Sequence, residues 1–429
     1  MFRPSLQRRQ ARSDWCPRQW PCVLLRCKRA TRSQAACPLL TVCVPQCGRT
    51  VLWLLPWRPC VQRRQPPRQP NESSTPLSNT TNSRPHHAIL AFVVQPGYLP
   101  CSVMFGFLND IAWWLCHWWL YLAGVLFTVS LLTYFVPFLV AAVLPVANLK
   151  KRYNAKWAIV TGGSSGIGLS LATKLAEQGL NVIIAALDDD LLQPAVEGLC
   201  KKFKDQEFIS VPVNLAKDGY IEDIKAAIGD RQVQIAFLNA GYIATGFFDM
   251  SPLGRQMANY NCNATSAMAL AHFFVQHMKQ AKLPGLIMFT SSPASLMPSP
   301  SCALYGSTKA FLTEFAMSLA PEVASMNIDV SVMNPSPVAT NFYNGAHDID
   351  MLKFFKSTAT TPDIIADAML AGAGRLVVVE QGYYSAVVRV LLKIADIVFI
   401  AQMTKLSAPT MSDFINLRAT QEAQAKKHK

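Results

Sequence analysis

From Lys156 onward the apolar positions fall into short runs separated by longer stretches of helical period. Trp157–Val160, Asn181–Ala186, Phe208–Val213, Ile235–Leu238, Gly285–Thr290 and Asp329–Met333 read as strands, and Leu169–Gln178, closed by Gly179, reads as the first helix between them. Strand alternating with helix predicts a parallel sheet covered on both faces. Upstream the pattern changes. Ile111 to Leu149 is a run of 39 residues without Asp, Glu, Lys or Arg, bounded by Asp110 and Lys150. As one helix it would measure about 58 Å, nearly twice the roughly 30 Å of bilayer hydrocarbon. One tilted transmembrane helix plus an interfacial piece accommodates it, or a tight helical hairpin, with Pro137 and Pro145 as the break points. Trp113, Trp114, Trp118, Trp119 and Tyr121 crowd its N-terminal end as an aromatic belt would.

Charge changes this picture only after it is divided along the chain. The net charge of +14 suggests a nucleic-acid binder, but residues 1–86 hold 15 Lys and Arg against Asp14 and Glu72, and residues 87–429 carry a net of only +1. A general electrostatic grip on phosphate backbones is excluded for the body, and no nucleic-acid partner is expected. Seven of the twelve cysteines also lie in residues 1–86, and no CxxC pair occurs anywhere. Neither a metal site nor a disulfide framework is expected in the body, whose scattered thiols suit a reducing compartment.

These divisions set the expected organisation. Residues 1–103 form a basic, Cys- and Pro-rich unstructured extension: a transit peptide, a basic arm for anionic lipid, or a stretch foreign to the natural protein, whose start would then be Met104. Residues 104–149 form the membrane anchor, 150–403 the globular domain, and 404–429 a polar tail. Lys150, Lys151, Arg152 and Lys156 follow the anchor at once, so the positive-inside pattern places the domain in the cytosol. The ending Lys426-Lys427-His428-Lys429 resembles the di-lysine signal for retrieval to the endoplasmic reticulum, which makes that membrane the expected location.

The chemistry begins where the first strand meets the first helix. Thr161-Gly-Gly-Ser-Ser-Gly-Ile-Gly168 opens a βαβ unit, the mononucleotide-binding half of a Rossmann fold. In that setting Gly162 permits the turn, Gly166 lets backbone approach a diphosphate at the helix N-terminus, and Gly168 allows close packing of helix on strand. Tyr305 and Lys309 are four residues apart and share one face of a helix. An ammonium beside a phenol lowers the phenol's pKa and suits it to proton exchange with a carbonyl or alcohol oxygen. Ser292 would hydrogen-bond that same oxygen.

The Gly-rich turn, Asn239-Ala-Gly241, Ser292 and Tyr305-Gly-Ser-Thr-Lys309, in this order and spacing, resemble the short-chain dehydrogenase/reductase superfamily over about Lys156 to Val379. The resemblance implies an α/β Rossmann fold, a doubly wound parallel sheet of about seven strands, and catalysis by Asn261, Ser292, Tyr305 and Lys309. Asn261 would hold a water of the proton relay, with Asn263 the less favoured candidate. It also implies a dinucleotide held by Gly162, Ser164, Ser165, Gly166, Ile167, Gly168, Leu187, Asn214, Asn239, Ala240, Gly241, Tyr305, Lys309, Pro335, Val338 and Thr340, with hydride supplied by the nicotinamide.

The sequence departs from the family pattern at several of these positions. The basic residue that pairs with the 2′-phosphate of NADPH is replaced by Leu187, ahead of Asp188-Asp-Asp190. NADP(H) is thus the cofactor implied by resemblance, and NAD(H) stays open. Asn214 stands for an adenine-contacting Asp, Leu238 for an Asn, and Ser336 for the Gly after Pro335, stiffening that loop.

Substrate expectations come from the segment after the last cofactor motif. Asn341–Ser357 is rich in Phe, Tyr, Met and Leu, an apolar lid suited to a lipid-like substrate or else a helix packed on the core. Tyr383–Met403 reads as an amphipathic helix on a bilayer surface or against the sheet edge. The run Leu149–Val160, Pro298-Ser-Pro300, Val338-Ala-Thr340 and the di-lysine end resemble the membrane-bound very-long-chain 3-oxoacyl-CoA reductases, the 17β-hydroxysteroid dehydrogenase type 12 group. That resemblance implies reduction of 3-oxoacyl-CoA in fatty-acid elongation, with other elongation enzymes and a second copy of the chain as possible partners. A hydroxysteroid, retinoid or sphingoid-base oxidoreductase, and a non-catalytic dinucleotide-binding membrane protein, are the alternatives.

Overall fold

The computed structural model describes residues 101–427. The basic Cys-rich stretch through residue 100 lies outside the described residues, as do His428 and Lys429 at the C-terminal end. Seven parallel strands form one sheet: β1 (Trp157–Thr161), β2 (Asn181–Ala186), β3 (Phe208–Pro212), β4 (Val233–Leu238), β5 (Gly285–Thr290), β6 (Ile328–Pro335) and β7 (Val378–Gln381). Their order is β3-β2-β1-β4-β5-β6-β7, so the winding reverses between β1 and β4. This is the doubly wound Rossmann topology expected from the alternating pattern.

Thirteen helices surround the sheet among the described residues. The first seven are α1 (Cys101–Val143), α2 (Leu149–Tyr153), α3 (Gly166–Glu177), α4 (Leu192–Lys202), α5 (Tyr220–Ile228), α6 (Leu253–Tyr260) and α7 (Ser266–Ala281). The others are α8 (Ala303–Val323), α9 (Asp350–Ser357), α10 (Pro362–Gly372), α11 (Tyr383–Ile394), α12 (Ile397–Ser407) and α13 (Ser412–Lys427). Because β1 is buried throughout, its alternate side chains serve two cores. Ala158 and Val160 pack with α3, α4 and α10, and Trp157 and Ile159 with α5, α7 and α8. A third cluster, Ile243, Phe247, Tyr305, Ile349, Leu352 and Leu417, joins α8 to α9 and α13.

The long apolar run folds differently from expectation. It does not break at Pro137: α1 continues through that residue to Val143, and only Pro145 lies beyond its end. The surplus length goes into packing. From Phe105 to Val129 every residue but Ala123 is exposed, whereas Ser130, Leu131, Tyr134, Phe135 and Phe138 are half-buried on one face. The latter face packs against α10, α11 and β7. The exposed part is about 37 Å long, close to one bilayer crossing. Packing on the body holds the turn that Pro137 weakens by removing a helix N–H.

Two further elements are firmer than the sequence suggested. Arg152 pairs with Asp329 at 3.1 Å and Lys150 donates to Gly179 O at 2.7 Å, so part of the basic cluster fastens α2 to the domain. Residues 404–429, expected to be a polar tail, include α13, which docks back on the body. Gln421 accepts from Phe247 N at 2.8 Å, and the Asp413 carboxylate accepts from Asp350 N (2.7 Å) and Met351 N (2.9 Å), capping α9. These side-chain hydrogen bonds hold the helix together with Leu417, buried in the third cluster, and Phe414, edge-on to Phe247 with ring centres 4.5 Å apart.

Candidate active site

The site lies at the C-terminal ends of β1 and β4, where the strand order reverses. Thr161 closes β1 and is buried. Its Oγ1 accepts from Asn239 N at 2.9 Å and Ala240 N at 3.1 Å, so the end of β1 shapes the Asn-Ala-Gly loop after β4. Thr290 at the end of β5 donates to Asn239 Oδ1 at 3.0 Å, fixing the loop from the other side. The Gly-rich turn then leads into α3. Gly166 has φ +54°, and a Cβ there would stand 2.7 Å from Thr340 Cγ2. At Gly168 a Cβ would collide with the carbonyl of Gly162, so helix and turn touch backbone to backbone. Ser165 precedes α3 without capping it through its side chain, leaving the first-turn N–H groups facing the crevice.

α8 supplies the reactive pair. Tyr305 and Lys309 are 6% and 2% exposed, and the Lys309 Nζ lies 5.8 Å from the Tyr305 ring centre. Lys309 donates to Thr290 O at 2.8 Å, so the threonine that fixes Asn239 also anchors the lysine. Burial pushes the Lys309 ammonium down to about 8. Burial also raises the Tyr305 phenol well above its usual range, and the Ser292 hydroxyl is the one contact that lowers it. Among the protein's own groups, desolvation outweighs the Ser292 hydrogen bond. Cys262 and Cys302 on the same wall are pushed up to about 11 by burial, so neither thiol is an activated nucleophile.

The asparagine assignment changes as well. Residues Asn261–Thr265 form a π turn between α6 and α7, a feature frequent at functional sites. Asn261 turns its amide toward Ala216 O at 3.4 Å. Asn263 is fully buried, and its amide pairs with both Tyr242 N and Tyr242 O at 3.0 Å. A Cβ built on Gly241 would stand 3.1 Å from Asn263 Oδ1 and 3.2 Å from Lys309 Nζ. Asn263, not Asn261, is the residue brought to the lysine.

A single cavity of about 740 Å³ connects these groups. Every residue assigned to the cofactor from sequence lines it except Gly168, which lies beneath the turn. At its outer end Leu187 and Asp189 form the wall, and Lys309 is the only Lys or Arg among the lining residues. At its inner end, beyond Ser292 and Tyr305, the lining is Phe342, Ile349, Leu352, Phe355 and Tyr384. Phe342 and Phe355 realise the apolar segment after β6, and Phe342 packs edge-on to Tyr305 with ring centres 5.7 Å apart. A protonated phenol, a hydroxyl and an ammonium facing one space form a proton-donating set for an oxygen placed among them.

A family model described as short chain dehydrogenase matches residues 156–348. The domain over these residues is that of a short-chain dehydrogenase/reductase. Among its relatives is hydroxysteroid dehydrogenase-like protein 1 of Gallus gallus, 29% identical over 215 residues, 49% of this chain and 64% of that protein. The very-long-chain 3-oxoacyl-CoA reductase of Meyerozyma guilliermondii is 29% identical over 257 residues, 56% of this chain and 72% of that one. The match to the first relative thus spans less than two thirds of its length. A solved 7β-hydroxysteroid dehydrogenase shares the fold, with a TM-score of 0.53 at 20% identity over 60% of this chain and 99% of that one. Thr161, Thr290 and Asn263 are the residues of this site that sequence reasoning passed over or set second. The two threonines each close a strand at the crevice, which is the signal that marks them.

Proposed function

We propose that this chain is a membrane-anchored, nicotinamide-dependent oxidoreductase that reduces the carbonyl of a lipid-like substrate. One observation carries the reading: the cavity runs unbroken from the Gly-rich turn, past Ser292, Tyr305 and Lys309, to an apolar chamber under α9. The residues present fit a dinucleotide. Gly166 and Thr340, too close together for a Cβ between them, both line the cavity, and the open N-terminus of α3 suits a diphosphate. The dinucleotide, when bound, supplies the hydride.

The protein's own groups manage the proton and the position. Ser292 orients the substrate oxygen, Tyr305 delivers its proton, and Lys309 with Asn263 replenishes the phenol from the buried side. In the reductive direction the Tyr305 phenol acts as the acid. The lack of any Lys or Arg in the lining besides Lys309, with Asp189 at the outer end, favours NAD(H) over the NADP(H) of the general resemblance.

Among substrates, a long-chain 3-oxoacyl-CoA is the favoured class, on the apolar chamber and the likeness to a 3-oxoacyl-CoA reductase. A hydroxysteroid is the second reading, favoured by the name of the Gallus gallus relative. Phe105–Val129 as the single crossing, with the basic residues of α2 after it, supports a domain on the cytosolic side, and the resemblance points to the endoplasmic reticulum. The test is oxidation of NADH and NADPH by membranes carrying the full chain, with a long-chain 3-oxoacyl-CoA and with a 17-ketosteroid. Tyr305→Phe serves as the blank and should lose about 100-fold or more in turnover while still binding dinucleotide. Equal rates in wild type and blank with every substrate would reject the catalytic reading in favour of a dinucleotide-binding membrane protein.

A further inference from the structure

The helix α12 reverses the usual order of a surface helix. Of Ile397–Ser407 only Ile400 is buried, while Val398, Phe399 and Leu406 are 74%, 60% and 66% exposed, and Ile394 at the end of α11 is 70% exposed. A helix on a water-facing surface turns such residues inward, and a contiguous apolar patch of this kind marks a covered face. The polar groups nearby are arranged to match. Asp396 is engaged in capping α12, accepting from Val398 N at 2.8 Å, and Arg389 turns inward onto Glu380 at 2.7 Å. Lys393 and Lys405 outnumber Asp396, so the rim of the patch is net cationic.

The patch is continuous with α1. That helix packs against α11 and β7, and Tyr134 lies beside the Glu380–Arg389 pair where α1 leaves the domain. The apolar helix pair therefore adjoins the base of the exposed segment Phe105–Val129.

We propose that α11 and α12 are embedded in the face of the same bilayer that α1 crosses, apolar side down, with Lys393 and Lys405 at the headgroups. The proposal rests on α1 being a membrane span. Stems of lysine lie along apolar surface while their ammonium groups reach anionic lipid, which suits a helix lying in the interface. The arrangement has a consequence for substrate. Tyr384, in the first turn of α11, lines the cavity and stacks edge-on to Phe355 at 5.0 Å. The apolar end of the cavity thus borders the element lying in lipid, and an apolar substrate enters from the membrane, not from water.

The experiment uses the full chain in vesicles of phosphatidylcholine and phosphatidylserine, with a fluorescent amino acid placed in turn at Phe399, at Leu126 in α1 and at Leu253 on α6. Each is read with a spin-labelled lipid and with aqueous iodide as quenchers. Leu253 is 71% exposed and belongs to no part of the patch, so it reports water. The expected result is that the label at 399 resembles that at 126: several-fold more quenched by the lipid, and several-fold less by iodide, than the label at 253. A label at 399 that behaves like 253 while 126 stays lipid-quenched overturns the embedding and leaves the span intact. A label at 399 shielded from both quenchers assigns the patch to a second copy of the chain and also overturns it. Iodide quenching at 126 removes the span, and with it the ground of the proposal.

Discussion

The Ser336 hydroxyl accepts hydrogen bonds from the backbone N–H groups of Tyr384, at 3.1 Å, and Ser385, at 3.3 Å. Ser336 belongs to the loop after β6 that also holds Pro335, Val338 and Thr340, while Tyr384 faces the lid residue Phe355. One serine, at a position where the superfamily pattern has Gly, therefore caps α11 from a distance and ties the dinucleotide side of the cavity to its apolar side. The fit is close, since a Cβ at Gly382 would stand 2.5 Å from Ser336 Oγ.

Ser336→Gly restores the family pattern and removes this cap. A lost N-cap costs about 1 kcal/mol, so the thermal midpoint should fall by a few degrees. The freed loop should also raise the KM for dinucleotide several-fold with little change in kcat. Calorimetry and initial rates check both, and an unchanged KM would show that the hydrogen bonds hold the helix alone.

Two asparagines two residues apart give the sharpest comparison. Asn263→Ala leaves the Tyr242 N–H without a partner, its carbonyl keeping only Asn259, and empties the space beside Lys309. Turnover should fall by about 100-fold or more, the range for a group that serves proton transfer. Asn261→Ala, which gives up one long contact to Ala216 O, should stay within a few-fold of wild type. Asn263→Asp, which keeps the shape but not the donor, distinguishes a positioning role from packing if the pH profile shifts. The reverse ranking would restore the asparagine expected from sequence.

The same pair shows where sequence reasoning stops. Strand positions and the Ser292–Tyr305–Lys309 set were legible because strands are short apolar runs and α8 has an ordinary period. The asparagine was not, because a π turn inserts an extra residue per turn and rotates every later side chain off the α-helical register. The docking of α1 was hidden for a different reason. A sequence apolar all round carries no period, so nothing in it distinguishes the face of Tyr134 and Phe138 from the lipid-facing side. α13 was hidden by the opposite property: Phe414 and Leu417 are too few to mark an apolar stripe, and Gln421 and Asp413, which help hold it, read as a solvated tail.

Coenzyme choice follows from the outer end of the cavity. Leu187 is 53% exposed at the end of β2, and Asp189 accepts from Leu191 N at 3.1 Å, which places a carboxylate on the cavity wall. A 2′-phosphate there would meet a negative charge and no cation. The wild type should therefore bind NADH more tightly than NADPH, by direct fluorescence titration. Leu187→Arg combined with Asp189→Ser should reverse the order, since an exposed guanidinium pairs bidentately with phosphate. Tighter NADPH binding by the unaltered chain would rule out this account of Asp189.

Lys309 sets stability and activity against each other as pH changes. Its ammonium is buried and pushed down to about 8 from an ordinary 10.5. Between these two values the unfolded chain binds a proton that the folded chain does not, so stability rises with pH across that interval, and below it the burial penalty is fully present. The buried Cys262, Cys302 and Tyr305 act oppositely, but only above the ordinary thiol pKa of 9.0 and phenol pKa of 10.0, which leaves a window from about 8 to 9 for the lysine alone. Lys309→Met removes the charge and keeps the stem. At pH 7 the variant should unfold at a higher temperature than wild type, and the gap should narrow as pH rises through the window. Turnover should move the other way: absent in the variant at every pH, and declining in wild type as the ammonium is lost above about 8. A gap that stays constant with pH would mean that Lys309 keeps its ordinary pKa, and that Thr290 O compensates its burial in full.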